Sequence, residues 1–282
     1  MKKIFFTLLS ICLFSSVVMA QTDTTKKIKE SIATFLSGVI YAPELHYYGR
    51  TDSLKSSAVL PTVYIQFDSI GIYISATSVF LNDKTQTMTY AGTITEAGYK
   101  FGHKIKGFGG SIYANKFFYN TTQLPQSALQ EQAGINLYYL TKYINFTASA
   151  SAAFSNKTDG FVGLGINHTF KKVKGKNIFL AIPTFIANAG SQNFTTAKNT
   201  SGTILTPSQE ETSNSSRFNM LDYELSMPLI YARNHLYVIV TPSYILPVNV
   251  ISVPGHPELS ETAKNLFYAN VTVLYSVKWF KK

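Results

Sequence analysis

The first residues to weigh for catalysis are the five histidines, His46, His103, His168, His235 and His256. On a β-strand an imidazole activates a hydroxyl two residues away, because only positions i and i+2 share a face. The residues two after each histidine are Tyr48, Ile105, Phe170, Tyr237 and Glu258, and none is a serine. No His-Glu-x-x-His pair, Gly-x-Ser-x-Gly elbow or phosphate loop occurs either. The spacing therefore predicts no enzyme, no metal centre and no cofactor. An Asp and a His brought together from different strands is the one catalytic arrangement it leaves open.

The charged residues make a more specific pattern. Asp222 and Glu224 are two apart, so on a strand they share one face and could line a cation-favouring constriction. Paired with nearby lysines, they would instead stiffen an interior. Alternation puts Asp68, Glu96 and Lys100 on inward faces as well. A second group is basic and clustered at segment ends: Lys104 and Lys106, then Lys171, Lys172, Lys174 and Lys176. Cations there suit anionic headgroups or a periplasmic polymer, each gaining about 1 kcal/mol near a negative surface, and they equally suit a solubilising rim.

The elements that would position these groups are strands. Met1 to Ala20 has the basic start, apolar run and Val-Met-Ala end of a secretory signal peptide. Cys12, the only cysteine, lies within it, so the mature chain has no thiol for a disulfide or a metal. Residues 21–33 read as a short periplasmic segment, with an amphipathic helix or a strand over 26–35. Beyond the signal no apolar run reaches the ~20 residues of a membrane helix. Period-two alternation recurs instead. It predicts strands near 34–48, 58–68, 71–81, 86–101, 105–119, 133–141, 143–154, 160–170, 177–189, 217–231, 235–247 and 265–280.

The gaps between these strands alternate in length. Loops at 120–132, 190–216 and 248–264 are long, whereas those at 69–70, 102–104, 171–176 and 232–234 are tight. That sorting fits an all-β, single antiparallel up-and-down transmembrane β-barrel of about 12 strands over 34–282, with both termini on the short-turn side. Composition agrees. Charged residues are 14%, against roughly 25% in soluble domains. One strand face is apolar, as hydrocarbon requires, and the other is Asn, Thr, Ser, Gly and Tyr, as a lumen allows. Gly110, Gly163 and Gly165 would leave lumen space that Tyr64, Tyr138 and Tyr268 consume. Pro183, Pro228 and Pro242 fall within strands and predict bulges or bends. The formal charge of +10 comes with no nucleic-acid motif, so no nucleic-acid partner is expected.

The stretch Tyr41-Ala-Pro-Glu-Leu-His-Tyr-Tyr-Gly-Arg-Thr-Asp-Ser53, the Glu96–Gly102 segment and the last strand resemble the uncharacterised outer-membrane β-barrel proteins of Bacteroidota. The resemblance implies placement in a Gram-negative outer membrane and transfers no catalytic or ligand residue. The terminal run Tyr275 to Phe280 also looks like the aromatic-ended strand read by the barrel assembly machinery, although Lys281 and Lys282 follow it. The resulting expectation is a narrow porin-like channel for a small polar solute, embedded in outer-membrane lipid. The alternative is a non-transport barrel that acts as an anchor or a surface-binding scaffold through its long loops. A surface hydrolase is the third reading.

Overall fold

The computed structural model describes residues 31–51, 56–84, 87–102, 106–120, 129–155, 157–193, 217–249 and 265–280. The expected signal peptide and residues 21–30 lie outside them. The strands are β1 (Ser31–Ala42), β2 (His46–Tyr47), β3 (Arg50–Thr51), β4 (Ser57–Phe67), β5 (Ile72–Asn82) and β6 (Thr89–Phe101). They continue with β7 (Phe108–Tyr119), β8 (Glu131–Tyr139), β9 (Asn145–Phe154), β10 (Thr158–Asn167), β11 (Phe170–Lys174) and β12 (Asn177–Ala181). The last are β13 (Thr184–Gly190), β14 (Asn219–Ser226), β15 (Leu229–Arg233), β16 (Leu236–Pro247) and β17 (Leu266–Phe280).

Apart from the β2–β3 hairpin, these strands form one closed antiparallel barrel. β10 runs on into β11, β12 into β13 and β14 into β15, so the wall has twelve staves. The first and last staves seal the ring through a register from Ser31↔Phe280 to Tyr41↔Val271. Closure pairs the backbone groups that an open sheet would leave at its edges, which hydrocarbon demands. Among the described residues no helix is long and apolar enough to cross a membrane; the chain crosses with strands.

The two faces separate by alternation. On β17 Phe267 is 73% exposed and its neighbour Tyr268 only 5%. Val271, Val273 and Tyr275 continue the outer face, while Asn270, Thr272, Leu274 and Ser276 are buried inside. Ile72, Ile74, Ile112, Phe146, Leu164 and Leu225 carry the same exposed apolar surface around the ring. So large an apolar belt is tolerated only against lipid.

The interior departs from the expected uncharged polar lining. Ile40, Leu60, Val79, Leu81, Phe117, Phe161 and Leu221 point inward and join Leu180, Ile230 and Leu274 in one apolar cluster. Where these side chains meet, the lumen is packed as a core, which needs apolar side chains to fill it. Tyrosines lie flat along the wall where the next strand has a glycine. A Cβ on Gly98 would stand 2.5 Å from the Tyr73 hydroxyl, and Gly134 makes the same room for Tyr113. Gly110 faces outward rather than into the lumen, because Ser111 and Tyr113 on the same strand hold the inward positions.

The prolines interrupt the wall along one crease. β14 pairs with β16 as far as Ser226↔Ser243, and pairing resumes at Leu229↔Val240 between β15 and β16. Proline has no N–H to give the ladder, but its carbonyl still accepts. Pro183 accepts from His168 N at 3.2 Å, Pro228 from Ile182 N at 3.0 Å and Pro242 from Met227 N at 3.0 Å. These bonds step across adjacent staves, so the bends expected from sequence form a single line.

Most strand ends shift by a few residues from the sequence expectation, and three of the differences bear on the fold. The first stave begins at Ser31 rather than 34, and residues 31–35 are strand. It ends at Ala42, not 48, because the chain then turns into the barrel. The tight basic turn expected at 171–176 is strand through Lys174, so only Gly175 and Lys176 turn. Gly175, at φ +59, supplies the left-handed conformation.

Candidate functional site

The first long loop folds inward as a hairpin, β2–β3, and occupies the lumen at its long-loop end. Tyr48 (φ 49) and Gly49 (φ 75) make the two-residue turn, and two positive φ values are what a type I′ hairpin needs. Tyr48 holds this conformation at a cost on the order of 1 kcal/mol, offset by its surroundings. Its ring packs on Phe161 at 5.2 Å, and Tyr47 meets Phe161 edge-on at 6.1 Å. His46 stacks edge-on against Tyr268 of the last stave at 5.2 Å. Burial, then the charge of Asp159, pushes the Tyr47 hydroxyl well above the ordinary phenol range.

Arg50 fastens this stopper and is 1% exposed. Its Nε donates to Gln192 Oε1 at 3.0 Å and its Nη1 to the Tyr48 and Leu221 carbonyls at 2.6 and 3.2 Å. Nη2 donates to the carbonyls of Val248 and Asn249 at 3.1 and 3.2 Å. One guanidinium thus ties the hairpin to the loop after β13, the wall at β14 and the loop after β16. Next to it Asp159 Oδ1 accepts from Ser191 Oγ at 2.7 Å and from Asn193 N at 2.7 Å. Ser191 and Asn193, at the start of the loop after β13, are therefore held over the same mouth.

A second layer lies below the stopper. Glu96, Asn115 and Gln132 are register partners on β6, β7 and β8, and all three are buried. Glu96 accepts from the Tyr73 hydroxyl, and Gln132 Nε2 donates to Ser151 Oγ at 2.8 Å. On the facing wall Asn188 Nδ2 donates to Asp222 Oδ1 at 2.7 Å, and Glu224 is buried beside it on the same strand face. β6 and β14 stand half-way round the ring from one another. Glu96 therefore faces Asp222 and Glu224 from the opposite wall, as part of a layer packed closely enough to bury every one of these side chains.

Toward the short-turn end the interior is half-exposed and polar. Asp68 accepts from Thr34 Oγ1 and from Gln66 Nε2, both at 2.7 Å. Gln66 Oε1 accepts from Lys100 Nζ at 2.8 Å and from the Tyr64 hydroxyl at 2.5 Å. Lys100 also sits over the Tyr64 and Tyr73 rings at 5.1 and 5.4 Å. Asp68 and Lys100 are thus brought together through one glutamine.

The remaining sequence-selected residues lie elsewhere. Lys106, Lys171, Lys172, Lys174 and Lys176 are exposed at the short-turn end; Lys104 falls outside the described residues, as do His103 and His256. His168 and His235 each hydrogen-bond a backbone carbonyl, of Tyr143 at 2.5 Å and of Ser276 at 2.7 Å. Among the described residues no three of His, Cys, Asp and Glu gather to hold a metal ion. Sequence reading missed the stopper itself. The signal was there in His46-Tyr-Tyr-Gly-Arg50, where alternation fails and a turn glycine sits among bulky residues.

No family model matches the chain, and no curated protein does. Among solved structures it is similar to a bacterial polysaccharide outer membrane secretin, at 8% identity and TM-score 0.34, over 89% of this chain and 99% of that one. It is also similar to OprB of Pseudomonas putida, at 13% identity and TM-score 0.30, over 81% of this chain and 61% of that one. A third is an anion-selective porin from Comamonas acidovorans, at 7% identity and TM-score 0.24, over 88% and 98% of the two chains.

Proposed function

We propose that the protein is a filled β-barrel of a Gram-negative outer membrane that serves as a membrane-anchored scaffold, presenting its long loops outside and its basic rim to the periplasm. The observation that carries this reading is the stopper. The hairpin and the buried Glu96–Asn115–Gln132 layer together obstruct the lumen at two levels. A barrel of this size has room either to be filled by side chains or to enclose a path, and here the hairpin and the buried layer fill the part toward the long loops. The terminal Tyr275–Phe280 strand would be read by the barrel assembly machinery, and outer-membrane lipid would cover the apolar belt. The reading involves no catalysis.

A second reading, a narrow channel for a small polar solute with the hairpin as its gate, draws on the lower lumen. Thr147, Ser149, Thr184 and Ser226 are only partly buried there, and Glu96, Asp222 and Glu224 would favour cations once the path opened.

Single-channel recording of refolded protein in a planar bilayer tests both. The scaffold reading expects silence from protein shown to be inserted. Stable steps with cation preference, reduced in an Asp222→Asn, Glu224→Gln variant, would overturn it in favour of the channel. Steps that appear only when residues 44–51 are replaced by a short glycine linker would identify the hairpin as a gate.

A further inference from the structure

The outer belt is not an even cylinder. From β7 to β13 one outward register row is bulky, with Phe108, Tyr139, Phe146, Ile166 and Phe185 side by side across five staves. It stands at the short-turn end, where an aromatic girdle meets the membrane surface. The next outward row, one step deeper in the membrane, sets Ala148 and Ala187 on either side of Leu164. Between the two rows the small side chains leave a groove of about 470 Å³, within the range of small-molecule sites. Tyr139, Phe146 and Leu164 form its walls and face outward, so the groove opens to lipid.

The end of the groove nearest the short turns carries one sign of charge. The turn from β8 to β9 lies just beyond Tyr139 and Phe146, and it holds Lys142 over the exposed ring of Tyr143 at 5.3 Å. The His168 ring bonds the Tyr143 carbonyl and ties this turn to the next stave. Exposed Lys106 precedes Phe108 by two residues on the other flank. From Ala97 to Gln209 the only carboxylates are Glu131 and Asp159, and both stand at the opposite, long-loop end. On these staves the two lysines therefore have no acid at their own end of the barrel.

We propose that this groove holds one anionic phospholipid of the inner leaflet, with an acyl chain against Ala148 and Ala187 and the phosphate at Lys106 and Lys142. The two parts of the site match the two parts of such a lipid. A soluble anion would meet the lysines but leave the groove unused, and an uncharged lipid would do the reverse. Cations at the membrane surface favour the anionic headgroup, and the apolar floor favours the chain. The site is independent of whether the lumen conducts. Its assignment to the inner leaflet rests on the outer-membrane reading proposed above.

The test is native mass spectrometry of refolded protein released from micelles that hold equal amounts of phosphatidylglycerol and phosphatidylcholine with the same chains. One phosphatidylglycerol per barrel should be retained, with a preference of about ten-fold from the two cations. A Lys106→Gln, Lys142→Gln variant should lose that preference and keep weak binding of both lipids. An Ala148→Phe, Ala187→Phe variant, confirmed folded by its heat-dependent gel mobility, should retain neither. In the unaltered protein, phosphatidylglycerol with a photoactivatable group in its chain should label residues 137–148 ahead of residues 236–247 and 266–280. Equal retention of the two lipids, or labelling spread evenly round the belt, would overturn the site. So would displacement of the bound lipid by free glycerophosphate, which would assign the lysines to a soluble anion. Channel activity in the bilayer recording would leave each of these outcomes unchanged.

Discussion

The guanidinium of Arg50 donates to the carbonyl oxygen of Leu221 at 3.2 Å, across 171 residues of sequence. Through this bond the first loop of the chain is held by the wall of the tenth stave, three staves round the ring from the first. Arg50→Ala would strip the hairpin of these bonds and leave buried carbonyls without a donor. The expected cost is about 3 kcal/mol, read as a lower urea midpoint by the fluorescence of Trp279, the only tryptophan. Residues 44–51 should also become open to protease. An unchanged midpoint and full protection would mean that the aromatic packing of Tyr47 and Tyr48 suffices without the clamp.

The seam of the barrel is a second sensitive place. A Cβ on Gly38 would fall on the carbonyl oxygen of Val273 in the closing stave, and backbone cannot swing aside as a side chain can. Gly38→Ala should destabilise by roughly 1–3 kcal/mol and slow closure in refolding. Gly160→Ala, where a Cβ meets nothing within 4 Å, should be close to neutral. Equal midpoints for the two variants would contradict the close approach at the seam.

Two ion-containing contacts should differ in worth. Gln66→Leu removes the acceptor of Lys100 and Tyr64 and the donor to Asp68 inside the barrel, an expected loss of roughly 1–3 kcal/mol. The outward Lys116–Glu131 pair at 2.6 Å is exposed on both sides, and Lys116→Met should cost less than about 1 kcal/mol. Parallel urea titrations of the two variants decide whether the interior network is the stronger.

Sidedness can be read with cysteines, because the only native cysteine, Cys12, lies in the expected signal peptide. Lys84→Cys, exposed in a loop at the long-loop end, should react with an impermeant maleimide on intact cells. Lys174→Cys should react only after the outer membrane is opened. The reverse pattern would invert the barrel and place the basic rim outside.

The wall of this protein was legible in its residues. Phe267, Val271, Val273 and Tyr275 alternate with Tyr268, Asn270 and Thr272, and because strand side chains alternate by geometry that pattern alone separates a lipid face from an interior face. Loop lengths fixed the up-and-down order for the same local reason, and Pro183, Pro228 and Pro242 marked where the ladder must break. What the interior contains was decided only in three dimensions. Asp68, Glu96, Lys100, Asp222 and Glu224 could be assigned inward one strand at a time, but strand order alone sets Glu96 opposite Asp222. Arg50 meets Leu221, Val248 and Asn249 because a loop turned inward, and nothing periodic encodes a turn into a cavity. Local alternation reports which way a side chain points. Whether the space it points into is water, lipid or another part of the chain depends on contacts between residues far apart in sequence.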